Sequence, residues 1–286
     1  MEDLSGQVIM VTGASRGIGQ AVTHVLLAHG ARVAACARGR EGLERLKAGA
    51  GRSSEDHLFT FPCDVSRAEQ AAAFVEAAVG RFGTLDGLVN NAGLYPVTNF
   101  LELGEEEWDQ VLGVNLKGPF LLTQAVARVM IERKVRGRVV NVSSTASLVS
   151  RPGTAHYASS KAGLNMLTRV LAVELAPFGI RVNAVLPGLI GTEEVISRLG
   201  EREAGAEHGT KLARIPLGEA GRPGDVSDAV LYLLSASWWW MADTPWESPL
   251  MGPDPGRTRR AGYFRSREFG ARALPTWPHQ PEERRP

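Results

Sequence analysis

The hydrophobic pattern between residue 7 and about residue 235 alternates between two kinds of segment. Short runs of consecutive apolar residues predict buried strands at 7–11, 32–36, 58–63, 87–90, 137–142 and 180–186. Apolar positions recur with helical spacing at 18–29, 66–82, 105–115, 117–134 and 157–177. Apolar strands separated by helices predict a parallel sheet covered on both faces. Right-handed crossovers then predict a Rossmann-type, doubly wound α/β fold of six strands, in the order 3-2-1-4-5-6.

The composition changes abruptly after Ser237. Residues 238–286 contain no Val, Ile or Lys, yet they hold half of the 16 prolines and five of the six tryptophans. Strands favour β-branched residues, helix interiors do not tolerate so much proline, and a core needs aliphatic side chains. We therefore expect one domain at 1–237 and an irregular tail at 238–286.

Overall composition narrows the function classes. The net charge of +1 and the hydrophobic content of 44% are ordinary for a globular protein, so neither nucleic acid nor a membrane is an expected partner. The acidic start of the chain argues against a signal or transit peptide. Two cysteines, Cys36 and Cys63, predict buried thiols in a reducing compartment, with the cytoplasm favoured and the mitochondrial matrix as the alternative. The six histidines include no pair at metal-ligand spacing, so no metal is expected.

A glycine-rich turn follows the first strand and precedes the first helix. Gly13 permits the sharp turn, Gly17 lets the backbone approach a phosphate, and Gly19 lets the helix pack close to the strand. The N-terminus of the helix offers unpaired N–H groups and the positive end of its dipole to a pyrophosphate. The turn therefore predicts a dinucleotide site.

The end of the second strand indicates which nicotinamide cofactor this site accepts. An NAD site usually has an acidic residue there, but Ala37 stands near that position, and the next acid is Glu41. Arg38 follows directly, and Arg16 lies inside the glycine turn. Two guanidinium groups suit a 2′-phosphate, so NADP(H) is the expected cofactor.

Tyr157 and Lys161 are the strongest catalytic candidates. They are four residues apart at the start of a predicted helix, so they share one helix face. An ordinary tyrosine, with a pKa near ~10, is a poor acid–base group at neutral pH. A nearby ammonium group lowers that pKa towards neutrality. The pair therefore predicts proton transfer to and from a carbonyl oxygen.

Polar residues follow three strands at the edge of the sheet where ligands bind in such folds. Ser143 and Ser144 end the fifth strand, the segment 90–93 (Asn-Asn-Ala-Gly) ends the fourth, and 187–192 follows the sixth. Asn115 lies between two helical stretches, where its amide can hold a water molecule that relays protons.

The motifs T-G-x-x-x-G-x-G, C-D-V, N-N-A-G, V-N, V-S-S, Y-x-x-x-K and P-G-x-x-x-T occur in this order between about residues 4 and 235. In this order they resemble the single-domain type of short-chain dehydrogenase/reductase. The resemblance implies that Tyr157 is the general acid/base and that Lys161 lowers its pKa and holds the nicotinamide ribose. It implies that Ser144 positions the substrate carbonyl and that Asn115 supports the proton relay.

The same resemblance implies a cofactor site with three parts. Asp64 and Val65 flank the adenine, Asn91 shapes the floor, and 187–192 contacts the nicotinamide end. The complete expected set is Gly13, Ser15, Arg16, Gly17, Ile18, Gly19, Arg38, Asp64, Val65, Asn91, Ala92, Gly93, Tyr157, Lys161, Pro187, Gly188 and Thr192.

The implied activity is NADPH-dependent reduction of a ketone or aldehyde to an alcohol. The segments 141–144 and 214–218 are similar to L-xylulose/carbonyl reductases and to 3-oxoacyl-ACP reductases, which leaves 3-oxoacyl thioester reduction and hydroxysteroid oxidation as alternatives. Similar proteins pair through helices corresponding to 117–134 and 157–177, so a homodimer or homotetramer is expected. The segment 193–211 is expected to set the substrate, a small carbonyl or alcohol.

The chain departs from the family pattern after the helix expected at 225–234. A seventh strand follows that helix in the family, and it is missing from this sequence, which leaves 180–186 as an exposed edge. The alternative to an active enzyme is therefore a catalytically impaired splice or frameshift isoform. Such a protein would only bind the cofactor or pair with intact subunits. Outside the motifs, His156 is expected to be exposed at the start of a helix, with shaping of the pocket as the alternative. Trp108 is expected to pack rather than to stack on a substrate.

Overall fold

The computed structural model describes residues 3–51, 54–193, 195–197 and 215–235, all within the unit Met1–Ala242. Its strands are β1 (Val8–Thr12), β2 (Arg32–Ala37), β3 (Leu58–Pro62), β4 (Gly87–Asn90), β5 (Arg138–Val142) and β6 (Arg181–Val185). They form one parallel sheet in the order β3-β2-β1-β4-β5-β6. The predicted fold and strand order are confirmed. The predicted tail and most of the predicted specificity segment lie outside the described residues.

The helices match the predicted pattern with two differences. They are α1 (Gly17–Ala28), α2 (Arg40–Ala50), α3 (Ala68–Phe82), α4 (Glu105–Leu112), α5 (Gly118–Glu132), α6 (Ala155–Leu175) and α7 (Pro223–Leu234). Helix α2 was not predicted, because Leu43 and Leu46 are its only large buried side chains. The single helix predicted at 105–115 is instead α4 followed by a π-helical turn, Gly113–Lys117, that leads into α5.

Apolar side chains cover both faces of the sheet, as strands without alternation require. On one face, Phe74 of α3 and Met130 of α5 pack against the strands. On the other face, α1 and α7 share a cluster that includes Leu26 and Val230. With both faces filled, the carboxyl ends of the strands form the edge that remains open to a ligand.

A chain of buried side-chain hydrogen bonds fixes β4 and β5 against two helices. Asn90 Nδ2 donates to Thr123 Oγ1 of α5 at 3.1 Å and to Asn141 Oδ1 at 2.9 Å. Asn141 Nδ2 donates to Thr168 Oγ1 of α6 at 2.8 Å. Directional bonds in the core restrict how these elements slide against each other. The network therefore sets the position of α6, the helix that carries Tyr157.

Within the described residues, β6 pairs with β5 and forms one edge of the sheet. Arg181, its first residue, donates from Nη2 to the carbonyl oxygen of Ser235 at 2.8 Å. This bond fixes the end of α7 beside the start of β6. None of the described helices combines the length and apolar character needed to cross a membrane.

Candidate active site

The glycine-rich turn has the backbone geometry that its sequence predicts. Gly13 and Gly17 have φ values of +64° and +55°, a region that residues with a Cβ rarely adopt. A Cβ on Gly19 would lie 2.2 Å from the carbonyl oxygen of Gly13, so only glycine lets α1 start this close to β1. The turn therefore brings the N-terminus of α1 to the open edge of the sheet.

The segment after β4 holds this turn in place. Asn91 Nδ2 donates to the carbonyl oxygens of Thr12 at 2.9 Å and Gly13 at 3.2 Å. In return, Thr12 Oγ1 accepts from the backbone N–H groups of Asn91 and Ala92, each at 3.0 Å. Asn91 thus supports the floor of the predicted cofactor site through the backbone of the turn.

A cavity of about 1040 Å³ opens along this edge of the sheet. It brings together most of the residues that the sequence assigned to the cofactor and the chemistry. Its walls include Gly13, Ser15, Arg16, Gly17, Ile18, Arg38, Asp64, Val65, Asn91, Ala92, Gly93, Ser144, Tyr157, Lys161, Pro187, Gly188 and Thr192. Gly19 and Asn115 do not line the cavity, but each contacts residues that do.

One end of the cavity is lined by guanidinium and carboxylate groups. Ala37 ends β2 without a carboxylate, and Arg38 and Arg16 line the cavity. Burial opposes ionisation of Asp64, but hydrogen bonds from Ser66 and the nearby Arg38 together hold the pKa of Asp64 below its usual value. Arg38 and Arg16 supply the positive charge that a bound phosphate group would need.

Tyr157 and Lys161 lie in the first turns of α6 and face the other end of the cavity. Burial raises the pKa of Tyr157, and a hydrogen bond with Ser144 and the charge of Arg151 only partly oppose it. Burial also lowers the pKa of Lys161 to about 8, while its Nζ donates to the carbonyl oxygen of Val142 at 2.8 Å. The net pKa of Tyr157 is therefore raised, because desolvation is the largest effect. The lowering effect expected of Lys161 stays a prediction.

Asn115 lies in the π-helical turn and is fully buried. Its Oδ1 accepts from the N–H of Leu94 at 2.8 Å, and its Nδ2 donates to the carbonyl of Leu94 at 2.8 Å. Nδ2 also donates to Ser160 Oγ at 3.0 Å, and Ser160 donates to the carbonyl of Tyr157 at 2.7 Å. Asn115 therefore ties the segment after β4 to the backbone at Tyr157. Its part in a proton relay stays a prediction.

A family profile described as short chain dehydrogenase matches residues 7–202 of the 286-residue chain. The chain belongs to the short-chain dehydrogenase/reductase family. It is therefore an oxidoreductase of the kind that acts on CH–OH or C=O groups, and the family uses nicotinamide cofactors.

Other short-chain dehydrogenases match over nearly their whole length. The 3-oxoacyl-[acyl-carrier-protein] reductase FabG of Thermotoga maritima is 40% identical over 233 residues, which cover 81% of this chain and 92% of the relative. The (3R)-3-hydroxyacyl-CoA dehydrogenase of Homo sapiens is 37% identical over 246 residues, which cover 81% and 90%. A short-chain type dehydrogenase/reductase from Mycobacterium marinum has a crystal structure that matches with a TM-score of 0.75 and 34% identity, covering 82% of this chain and 90% of that one.

Sequence reasoning misjudged two residues near the reactive end of this short-chain dehydrogenase. His156, expected to be exposed, is fully buried, with its Nε2 3.2 Å from Glu107 Oε1. Tyr95 was not singled out, yet its ring meets that of Tyr157 edge-on, with centroids 6.5 Å apart. Both contacts join segments distant in sequence, so no local pattern signals them.

The remaining sequence-based expectations concern packing and metals. Trp108 is half-buried in α4, in keeping with a packing role. Cys36 and Cys63 are buried free thiols at neighbouring strands, as expected. The described part of the chain contains no group of three or more His, Cys, Asp or Glu side chains that could hold a metal ion.

Replacing Lys161 with Met is expected to raise the free energy of unfolding of the cofactor-free protein by about 2 kcal/mol at pH 7. The lowered pKa corresponds to a desolvation cost of about 3 kcal/mol, and the lost hydrogen bond to Val142 offsets about 1 kcal/mol of the gain. This cost is complete below pH 8, where folded and unfolded chains are both charged. It shrinks between about pH 8 and 10.5, where the unfolded chain alone keeps the proton.

Urea unfolding of both proteins at pH 7 and pH 10 measures this difference. Lys117→Met, which removes an exposed lysine from the π-helical turn, is the matched control and should change little at either pH. A stabilisation by Lys161→Met that is the same at both pH values would mean that improved packing, rather than charge burial, is responsible.

Proposed function

We propose that the protein is an NADP(H)-dependent carbonyl reductase that converts a ketone or aldehyde to an alcohol. One observation carries the proposal: Ser144, Tyr157 and Lys161 line the same cavity as the glycine-rich turn and Arg38. Because burial raises the pKa of Tyr157, its hydroxyl holds its proton at neutral pH. A protonated tyrosine suits the direction of reduction, in which the carbonyl oxygen must gain a proton.

A nicotinamide cofactor held in this cavity would supply hydride for the carbonyl carbon. Ser144 and Tyr157, which share a hydrogen bond, offer two hydroxyl donors to the carbonyl oxygen. Tyr157 then gives its proton to that oxygen as negative charge develops there. Lys161, charged at neutral pH because its pKa is about 8, stabilises the phenolate that remains.

The charge at the other end of the cavity supports NADP(H) over NAD(H). Arg38 is exposed at the end of β2, where its guanidinium can bond a 2′-phosphate in bidentate fashion. A carboxylate that would favour the free ribose hydroxyls is missing from the end of that strand, since the next acid is Glu41. Glu41 forms an ion pair with Arg45, whose Nη1 lies 2.6 Å from Glu41 Oε1.

A second candidate substrate class is 3-oxoacyl thioesters. Two of the matching proteins carry names that place an acyl-carrier-protein or acyl-CoA thioester in their reactions. The proton transfer by Tyr157 is the same for both classes, so this candidate changes only the group that extends from the reactive carbonyl.

A small-molecule carbonyl or alcohol is the proposed partner, together with a second copy of the chain. Exposed apolar side chains on α5 and α6, namely Phe120, Met166, Val170 and Val173, support a homodimer or homotetramer through these helices. Analytical ultracentrifugation tests this proposal, and a monomer at micromolar concentration contradicts it. The compartment stays the sequence-based prediction given above.

Oxidation of NADPH by the purified full-length chain is the direct test of the activity. We expect turnover with an α-dicarbonyl substrate and a clear preference for NADPH over NADH. Faster turnover with a 3-oxoacyl thioester would select the second substrate class. A folded protein that neither binds nor oxidises NADPH would support the catalytically impaired isoform instead.

A further inference from the structure

The start of α6 contains a buried polar residue that the proposed reaction does not use. His156 directly precedes Tyr157 and is fully shielded from solvent. Its Nε2 lies 3.2 Å from Glu107 Oε1, and its Nδ1 has no hydrogen-bond partner among the described residues. Burying an imidazole that makes only one hydrogen bond lowers the stability of the fold. Such a residue is therefore expected to have a role in positioning its neighbours.

Glu107 links His156 to a third segment. The same Oε1 atom accepts a hydrogen bond from Thr98 Oγ1 at 2.8 Å. The backbone N–H of Thr98 donates to the carbonyl of Gly153 at 3.0 Å, just before α6 begins. Thus α4, the segment after β4 and the start of α6 meet at one carboxylate, which we call the Glu107 bridge (Thr98, Glu107 and His156).

The bridge lies directly behind the reactive end of the cavity. Tyr95, Pro96 and Val97 immediately precede Thr98 and line the cavity, as does Tyr157. The rings of Tyr95 and Tyr157 are in edge-on contact at 6.5 Å. His156 and Glu107 do not line the cavity themselves, so they act on the reaction only through the residues that they hold.

We propose that the Glu107 bridge positions Tyr157 against the Tyr95–Val97 wall and so fixes where the substrate carbonyl meets its proton donor. This proposal rests on the carbonyl reductase function. His156 and Glu107 are positioning residues, and a small misplacement of a reacting group costs much of the rate even when binding is unaffected. The cofactor end of the cavity is built from β1, β2 and α1, none of which contributes to the bridge.

The test compares Glu107→Leu with Glu107→Gln and Glu106→Leu. Leucine at 107 removes the acceptor, glutamine keeps an amide oxygen for both donors, and Glu106→Leu removes an exposed carboxylate from the same helical turn. For Glu107→Leu we expect kcat for carbonyl reduction to fall roughly 10- to 100-fold, with the Kd for NADPH within about twofold of the wild type. Glu107→Gln should recover most of the rate, and Glu106→Leu should match the wild type.

A second readout is independent of turnover. Ultraviolet titration of each protein against its Tyr157→Phe form reports the ionisation of the Tyr157 phenol alone. Loosening the bridge admits water to the start of α6, so in Glu107→Leu the raised pKa of Tyr157 should move towards its ordinary value. This shift is measurable even if no carbonyl substrate is turned over, so failure of the proposed function and failure of the bridge are distinguishable.

Two results would overturn the proposal. One is a Glu107→Leu protein whose kcat and Tyr157 titration both match the wild type. The other is a protein that loses rate, NADPH affinity and thermal stability together, with no recovery in Glu107→Gln, because that pattern describes a general loss of structure.

Discussion

Tyr157→Phe is expected to lower kcat for carbonyl reduction by a factor of roughly 10² to 10⁴, the range attributed to a positioned general acid. The substitution removes one oxygen atom and leaves the buried ring and its edge-on contact with Tyr95 in place. Without the phenolic proton, the carbonyl oxygen on which negative charge develops keeps the hydroxyl of Ser144 as a hydrogen-bond donor. Steady-state NADPH oxidation with a saturating carbonyl substrate measures the effect.

Two further measurements make this result specific to proton donation. The Kd for NADPH should stay within about threefold, because the glycine-rich turn and Arg38, which we propose hold the phosphates, line the other end of the cavity. Tyr232→Phe removes the same atom from an exposed tyrosine on α7 and should leave kcat unchanged. Full activity in Tyr157→Phe would remove Tyr157 from the mechanism.

Arg38→Glu is expected to lower the preference for NADPH over NADH by about 10³-fold. Loss of charge-assisted hydrogen bonds to the 2′-phosphate costs about 1.5–3 kcal/mol, and a carboxylate facing a phosphate adds repulsion. The same carboxylate can accept hydrogen bonds from the two hydroxyls of the adenosine ribose of NADH, so binding of NADH should improve. The ratio of kcat/KM for the two cofactors measures the change.

Arg40→Glu is the matched control for this charge reversal. Arg40 is exposed at the first position of α2 and does not line the cavity, so the same change in net charge there should shift the cofactor ratio only slightly. If Arg38→Glu leaves the preference for NADPH intact, the 2′-phosphate is held elsewhere and the assignment of Arg38 is wrong.

The strands could be predicted because their sequence pattern is local and strong. A strand buried on both faces is mostly apolar without alternation, and the segments ending at Thr12, Ala37 and Val142 show this pattern. The glycine-rich turn was equally readable, since Gly13 and Gly19 meet steric demands that other residues cannot meet. These two features fix the open edge of the sheet, and most of the predicted site residues follow from it.

The parts that escaped prediction depend on contacts between distant segments. Helix α2 contributes little to the core beyond Leu43 and Leu46, so its pattern is faint. His156 has the sequence context of an exposed helix start, yet it is buried and contacts Glu107 of α4. The pKa of Tyr157 is raised because the side chain is buried. The four-residue spacing between Tyr157 and Lys161 does not reveal that burial.

The pairing of α1 with α7 has a consequence during translation. Leu26 of α1 and Val230 of α7 belong to one buried cluster, although most of the chain separates them. At about 5–20 residues per second, the ribosome needs tens of seconds between releasing α1 and releasing α7. Throughout that interval the nascent polypeptide displays an uncovered apolar face, which is the kind of surface that holding chaperones bind. Biosynthetic yield should therefore depend on chaperone capacity more than the stability of the finished domain suggests.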